Sequence, residues 1–274
     1  MITLDDRTLR NLQLTELELL KEADRICRKN HIRYAIIAGT MLGAVRHGGF
    51  IPWDDDADIG MLREEYEKFR IACERDLDHE RFYFQDHRNT PGYRWGYGKL
   101  RMKDTLFLRE HQEHMPYEQG VFIDIFPLDQ VPESKLLRTL KNFECFCVRK
   151  ILWSKVGKIA ERNSVKRVIY RCLDHIPERS VLQYYESMAK RAGKLDSSMV
   201  RILLFPTPNS EYMYRKKWYL ETAPTVFEGY TFAGVKDADD YLRFKFGDYM
   251  TLPPEKDRKT HPVSDIRVIE WDRK

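Results

Sequence analysis

The chain has 274 residues, 42% of them hydrophobic, with fifteen tyrosines and fourteen phenylalanines, enough apolar mass for one large globular unit or two modest ones. Its 47 basic and 43 acidic side chains leave a formal charge of +4, without the basic bias of a dedicated nucleic-acid binder, so no nucleic-acid partner is expected and any basic surface is local. No run of about eighteen apolar residues marks a transmembrane helix, no signal peptide is read at the start, and the five cysteines, never spaced as CxxC, fit reduced, packed thiols in a cytoplasmic protein.

Between Asp5 and Asn30, Leu9, Leu12, Leu17, Leu20, Ala23 and Cys27 recur at helical spacing and predict a long amphipathic helix. "RYAIIAG" reads as a short buried strand ending at Gly39, and "TMLGAVRH" as a helix opening at Thr40, a residue type that caps helix N-termini. "ADIGML" predicts a second strand, and "REEYEKFRIACERDL" a helix with Tyr66, Phe69, Ala72 and Cys73 on one face. "RFYFQD", "YRWGYGKLRM", "TLFLRE" and "GVFIDIF" predict four more strands, separated by turn-forming residues. Beyond Pro127 the chain turns helical, apolar on one face and basic on the other, with ten Lys or Arg against two Glu from Arg138 to Arg171. A further helix, "PERSVLQYYESMAKRAG", follows Pro177. A boundary near Pro132 separates a sheet-rich region, residues 1–131, from a mostly helical one, residues 132–274; interleaved strands and helices point to an α/β or α+β fold.

The stretch "IPWDDDADIGM" carries the chemistry. In an extended segment Asp54, Asp56 and Asp58 share one face, while Asp55, Ala57 and Ile59 point the other way. Carboxylates spaced i, i+2 repel unless a cation lies between them, and an all-oxygen ligand set suits Mg²⁺ or Mn²⁺; the rival reading is a solvated acidic turn. Asp54 is a possible third contributor to the Asp56 and Asp58 pair, and Asp55 is expected to be dispensable. A further carboxylate, Asp124, stands inside "GVFIDIFPLD", a strand apolar on both faces where a lone ion needs a partner: the same cation, or a structural salt bridge. Gly39 lets backbone approach closely, and the free N–H groups of the helix after it attract an anion such as phosphate. Arg46 lies on the same side of that helix as Gly43, with Met41, Leu42 and Val45 toward the core. Lys99 and Arg101 share a strand face and offer two more cations, unless they are the protective charges of an exposed edge. Metal, phosphate cradle and cationic clamps are the parts of phosphoryl transfer, with Asp124 or Asp54 available to take the acceptor's proton.

These residues carry a family resemblance. "AGTMLGAVRHGGFIPWDDDADIGM", "GKLRMKDT", "GVFIDIFPLD" and "FGDYMTLPPEKDRKTH", in this order from about Tyr34 to His261, resemble the LicD family of phosphocholine transferases, related to fukutin and fukutin-related protein. The resemblance implies an α+β fold with a nucleotidyltransferase-like mixed sheet and flanking helices, plus a mostly helical C-terminal half expected to recognise the acceptor. It implies a Gly-Thr turn at Gly39 and Thr40, a DxD pair at Asp56 and Asp58, and a third Asp at Asp124. Arg46, Lys99 and Arg101 would face donor phosphates. It also implies transfer of a phosphoalcohol such as phosphocholine from a CDP-linked donor to a hydroxyl of a cell-surface glycan (lipopolysaccharide, teichoic acid or capsule precursor), releasing CMP. Ala57 stands where relatives more often carry a branched apolar residue. In the C-terminal motif Asp248, Arg258 and His261 match, read here as a salt-bridged cap.

Two rival functions share these acids: a nucleotidyltransferase moving NMP from an NTP to a small hydroxyl compound, and a non-catalytic glycan- or nucleotide-binding protein. The Arg138 to Arg171 helix, with Phe143, Phe146, Ile151, Leu152 and Trp153 among its charges, reads either as a solvated face over a core stripe or as a peripheral contact with an anionic membrane at the inner face, suited to a lipid-linked acceptor.

Overall fold

The protein is described here from a computed structural model covering residues 4–271, so the ends of the two predicted regions, 1–3 and 272–274, lie outside the described residues. Helix α1 (Asp6–Lys29) is capped by Asp5, which accepts from the Thr8 N–H at 2.7 Å, and buries Leu12, Leu19, Leu20, Ala23 and Ile26 in the main core. Strand β1 (Ala35–Ile36) is only two residues long and leads into α2 (Ala38–His47). The helix therefore opens two residues earlier than Thr40. It ends in Gly48, whose φ of 70° is the left-handed cap that glycine takes without a Cβ clash. Strand β2 (Asp58–Leu62) and α3 (Arg63–Asp76) follow, then β3 (Phe82–Gln85), β4 (Gly98–Met102), β5 (Leu106–Arg109) and the long β6 (Phe122–Gln130). Of "YRWGYGKLRM" only the second half is strand; Tyr93 to Tyr97 form a loop.

The second half begins with helices α4 (Lys135–Ala160), α5 (Ser164–Leu173) and α6 (Glu178–Ala192). It then returns to the sheet through β7 (Met199–Arg201), β8 (Tyr214–Arg215), the short α7 (Lys217–Leu220), β9 (Thr222–Phe227) and β10 (Tyr230–Val235), before α8 (Ala238–Phe246) and β11 (Val263–Arg267). The main sheet runs β3-β4-β6-β2-β1-β10-β9, with β7 added to β6 and β8 to β7, while β5 and β11 form a separate antiparallel pair. β2 and β6 are parallel, as are β1 and β10; the other main-sheet pairs are antiparallel, so the fold is a mixed-sheet α+β one. Sequence patterning misses this return. The sheet crosses the expected boundary near Pro132, because the second neighbour of β1 comes from residues about two hundred positions later.

β6 lies between β4 and β2 and is buried from Phe122 to Asp129. Pro127, which has no N–H to donate, falls where the antiparallel neighbour of β6 changes from β4, paired at 122–125, to β7, paired at 129–130. A smaller core joins α4, α6 and the loop after β7 through Cys145, Val148, Leu152, Tyr185, Met188 and Leu204.

Candidate active site

The acid segment is held from below and behind. Gln13 of α1 donates its side-chain amide to the carbonyls of Ile51 (3.3 Å) and Asp54 (3.0 Å), and the Thr40 hydroxyl of α2 accepts from the Asp58 N–H at 2.8 Å. Along the segment Asp54, Asp56 and Asp58 are partly exposed, while Asp55, Ala57 and Ile59 are buried, the alternation of an extended chain. In the parallel pairing of β2 with β6, Asp58 lies level with Asp124, and in the antiparallel pairing of β4 with β6, Lys99 lies level with Asp124 from the other side. Three strands thus bring a DxD carboxylate, a second carboxylate and a lysine into one row.

Electrostatics follows from that row. Burial, then the charges of Asp56 and Asp124, holds the Asp58 carboxyl well above the usual carboxylate range, with Lys245 of α8 pulling the other way. Burial and the Asp56 and Asp55 charges do the same to Asp54. Asp56 is raised by burial but opposed by His261 and Arg109. The Lys99 ammonium donates to Asp124 Oδ1 at 2.5 Å and lies 3.2 Å from the centroid of the Phe122 ring. Burial nonetheless pushes Lys99 down to about 7, with Asp124 opposing and Arg101 and Arg109 adding to the fall.

Carboxylates that raise one another's pKa carry more negative charge than their surroundings neutralise, and their oxygens are the donor chemistry of a hard divalent cation. The residues fit such an ion by kind. Among the described residues, however, no three His, Cys, Asp or Glu side chains are gathered into a metal-holding group, so the expected set of Asp54, Asp56, Asp58 and Asp124 is not assembled. Lys99 donates to Asp124 Oδ1, and Asp54 Oδ2 lies against the start of α2. A Cβ on Gly39 would stand 2.7 Å from Asp54 Oδ2, so the glycine makes room for that carboxylate at the helix N-terminus, where a phosphate was expected. Just before it Ala38 stands at φ 50°, a strained value for a residue with a Cβ, and donates its N–H to the Tyr241 hydroxyl at 3.0 Å.

Other expected residues land differently. Arg46 donates to the Tyr249 carbonyl at 2.8 Å and is lowered by burial and Arg258, with Asp54 opposing; it is not among the residues lining the cavity beside Asp124. Val45 is exposed, not core. Lys99 and Arg101 are buried on β4, which β3 covers, so they are not edge charges. Arg101 gives Nε to Gln85 (2.8 Å) and Nη1 to the Gly120 carbonyl (2.6 Å), which makes it a brace of the cavity floor. Asp55 was expected to be dispensable. Instead it is fully buried and accepts from the His261 N–H (2.9 Å), with Nδ1 of the same ring 2.8 Å away, so the cap read into the C-terminal motif is built on Asp55. Arg258 stacks over Trp53 at 4.7 Å, and Asp248 accepts from the nearby Thr251 hydroxyl.

A cavity of about 220 Å³ opens beside Asp56 and Asp124. Lys99, Arg101, Arg109 and His261 line it, together with the rings of Trp95, Tyr97, Trp153 and Phe205. The aromatic wall comes from both halves of the chain: Trp95 and Trp153 have ring centroids 5.5 Å apart, Tyr97 and Phe205 5.8 Å. Buried Arg94 fixes the loop by donating to the carbonyls of Leu152 (2.8 Å) and Ile151 (3.2 Å), and the Tyr185 hydroxyl donates to the Gly96 carbonyl at 2.5 Å. Sequence reasoning missed Arg109, Lys245, Glu16 and this wall. Glu16 of α1 lies buried behind the aspartates, where burial and then Asp56, Asp55 and Asp54 raise it well above its ordinary range, and its Oε2 has no partner among the described residues. Helical spacing marked Leu12 and Leu20 as core but gave no sign that a glutamate between them turns inward.

A mixed sheet with a DxD strand beside a carboxylate-bearing strand suits a nucleotidyltransferase domain, and likeness to known proteins makes the chain a transferase. The chain matches the family described as LicD/FKTN/FKRP, nucleotidyltransferase domain, over residues 31–133. It is 28% identical over 266 residues to lipopolysaccharide cholinephosphotransferase LicD of Haemophilus influenzae, spanning 96% of this chain and 98% of that protein. Shorter matches are to an uncharacterized protein of Rickettsia typhi, 41% identical over 70 residues and 23% of each chain, and to human ribitol 5-phosphate transferase FKRP, 50% identical over 34 residues, 12% of this chain and 7% of that one.

Proposed function

We propose that the protein transfers phosphocholine from CDP-choline to a hydroxyl of a cell-surface glycan of the lipopolysaccharide type, releasing CMP. The observation that carries this reading is the composition of one cavity. Asp56 and Asp124 stand at its edge, Lys99 and Arg109 offer positive charge, and Trp95, Tyr97, Trp153 and Phe205 offer ring faces. A donor with an anionic diphosphate and a quaternary ammonium needs both surfaces, and each cation held over a ring face contributes about 0.5–2 kcal/mol. The near full-length likeness to a lipopolysaccharide cholinephosphotransferase supports the transferred group and the acceptor class.

Asp56, Asp58 and Asp124 would hold a Mg²⁺ or Mn²⁺ ion, which when bound neutralises charge on the diphosphate and on the departing CMP. Lys99 and Arg109 orient the transferred phosphoryl group, and the aromatic wall fixes its headgroup. The acceptor oxygen then forms the new P–O bond as the P–O bond to CMP breaks, and the hydroxyl proton passes to a carboxylate of the cluster. Lys99 neutralises Asp124 through its contact with Oδ1.

The test is CMP release from CDP-choline by the purified protein with Mg²⁺ and a lipopolysaccharide acceptor. Asp58→Asn and Asp124→Asn are each expected to lower turnover on the order of a hundredfold or more while retaining a cooperative melt, and excess chelator to abolish it. Undiminished turnover in chelator would exclude the metal mechanism. The family's nucleotidyltransferase label favours a second reading, in which pyrophosphate from an NTP appears in place of CMP.

A further inference from the structure

Nine of the twenty large exposed apolar side chains among the described residues lie on α4 and α5. On α4, Leu136 (71% exposed), Leu140, Phe143 (65%) and the half-buried Cys147 follow one another at three- and four-residue spacing. This stripe lies opposite the buried face of Arg138, Cys145, Val148, Leu152 and Val156. On α5, Val165 (67%), Val168, Ile169 (52%) and the exposed Cys172 make a second stripe, while the opposite side sends Tyr170 onto α4 at Gly157, where a Cβ would stand 2.7 Å from its ring. The two meet in a groove of about 570 Å³ lined mainly by Phe146, Cys147, Ile151, Ile169 and Leu173. Water is an unfavourable covering for contiguous apolar surface of this kind, so it marks a contact site.

The charge around the stripes selects the occupant. From Arg138 to Arg171 the chain carries ten basic residues against two acidic ones, whereas the whole protein carries only +4, so everything outside this segment is net acidic. Several of the basic residues are committed within the fold: Arg138 to Glu211, Lys141 to Glu144, Lys158 to Asp174. Lys155, Arg162, Lys166, Arg167 and Arg171 form no ion pair among the described residues, and those on α5 flank its apolar stripe. A second copy of the same face would set these cations against each other, and an apolar partner would leave them unanswered. An anionic bilayer answers both, taking the apolar stripe among the acyl chains and the cations at the headgroups. No helix among the described residues is long and apolar enough to cross a membrane, so the contact is one of lying on the surface.

We propose that the α4–α5 hairpin docks the protein on an anionic lipid bilayer. The same α4 carries Trp153 into the aromatic wall, so docking brings the cavity close to the membrane plane, where a lipid-borne acceptor would present itself.

Flotation of the full chain with vesicles tests this directly. Wild-type protein is expected to float with phosphatidylcholine vesicles that contain phosphatidylglycerol, to float at least severalfold less with phosphatidylcholine alone, and to be released as salt rises. The double variant Val165→Ser/Ile169→Ser is expected to lose flotation at all salt concentrations. Lys166→Gln/Arg167→Gln is expected to lose only the dependence on phosphatidylglycerol. Circular dichroism and melting temperature check that each variant is folded; Val165, Lys166 and Ile169 are exposed and Arg167 is half-buried without an ion pair among the described residues, so neither change should move them. Protein that stays in solution with anionic vesicles at low salt overturns the proposal. So does flotation indifferent to the apolar substitutions, or a concentration-dependent dimer that the serine variant abolishes while vesicle binding is absent.

Discussion

Asp55 and its neighbours show how one residue step divides structure from chemistry. Asp54, Asp56 and Asp58 face the site, and Asp55, turned the other way, is held to the C-terminal motif through both the backbone and the ring of His261, with Asp56 Oδ2 farther off at 3.7 Å from the same ring. Asp55→Ala would remove the buried carboxylate to which His261 is hydrogen-bonded, and the loss of a hydrogen bond to a charged group costs about 1.5–3 kcal/mol. Urea unfolding of that variant is expected to show a loss of this size with an unchanged slope, and an unchanged midpoint would refute the role. Alternation made the division of faces legible in the sequence. What occupies the inner face was not, because nothing within a few residues of Asp55 shows that His261, more than two hundred positions on, will meet it.

The element that sets the aromatic wall is the loop between β3 and β4, and its anchor is ionic. Asp86 is fully buried beside α3, accepting from the Tyr66 hydroxyl (2.6 Å) and from Arg88 Nε (3.0 Å), while Arg88 also donates to Glu67 (2.7 Å). Burial alone would raise the Asp86 carboxyl, but the Arg88 bonds, the His87 charge and Tyr66 together hold it at about 2, below its ordinary value of 3.8. A carboxyl depressed in the folded state gives stability that is fully present above the unfolded value and is lost as pH falls through the folded one. Stability is therefore expected to drop between about pH 4 and pH 2. Asp86→Asn should flatten that part of the curve, as read from denaturant midpoints across the pH series. At this scale the sequence was partly readable. Helices α1, α3, α4 and α6 follow from apolar spacing, and Asp124 stands out because β6 is apolar on both faces. The two-residue β1 was hidden inside a longer apolar run, and α2 started early because its first turn is held by the Tyr241 hydroxyl, a distant group.

For the whole molecule, the sheet makes the two halves of the chain one folding unit. β10 supplies the outer neighbour of β1, and Trp218, Tyr219, Phe227, Phe232, Tyr241 and Leu242 belong to the same core cluster as α1 and β6. A chain ending at residue 131 would expose the β1 edge and remove that apolar mass. It is expected to show no cooperative thermal transition, and a sharp melt by calorimetry would instead make the first region an independent domain. Sequence patterning did not reach this level: "TAPTVF" and "YTFAGV" are short and moderately apolar, and which strand they join is decided by topology rather than by their own residues.

The ammonium of Lys99, resting on Asp124 between ring faces, gives the centre an internal counter-ion. An acid pocket that depended on an outside ion for its folding would collapse whenever that ion was scarce. Here the chain carries its own counter-ion, so on the proposed mechanism an ion would bind to a scaffold that already stands. Chelation is expected to silence turnover while the melt stays cooperative, and returning Mg²⁺ to restart it without a refolding lag. On the proposed mechanism, ion supply and donor supply together would decide when the enzyme works.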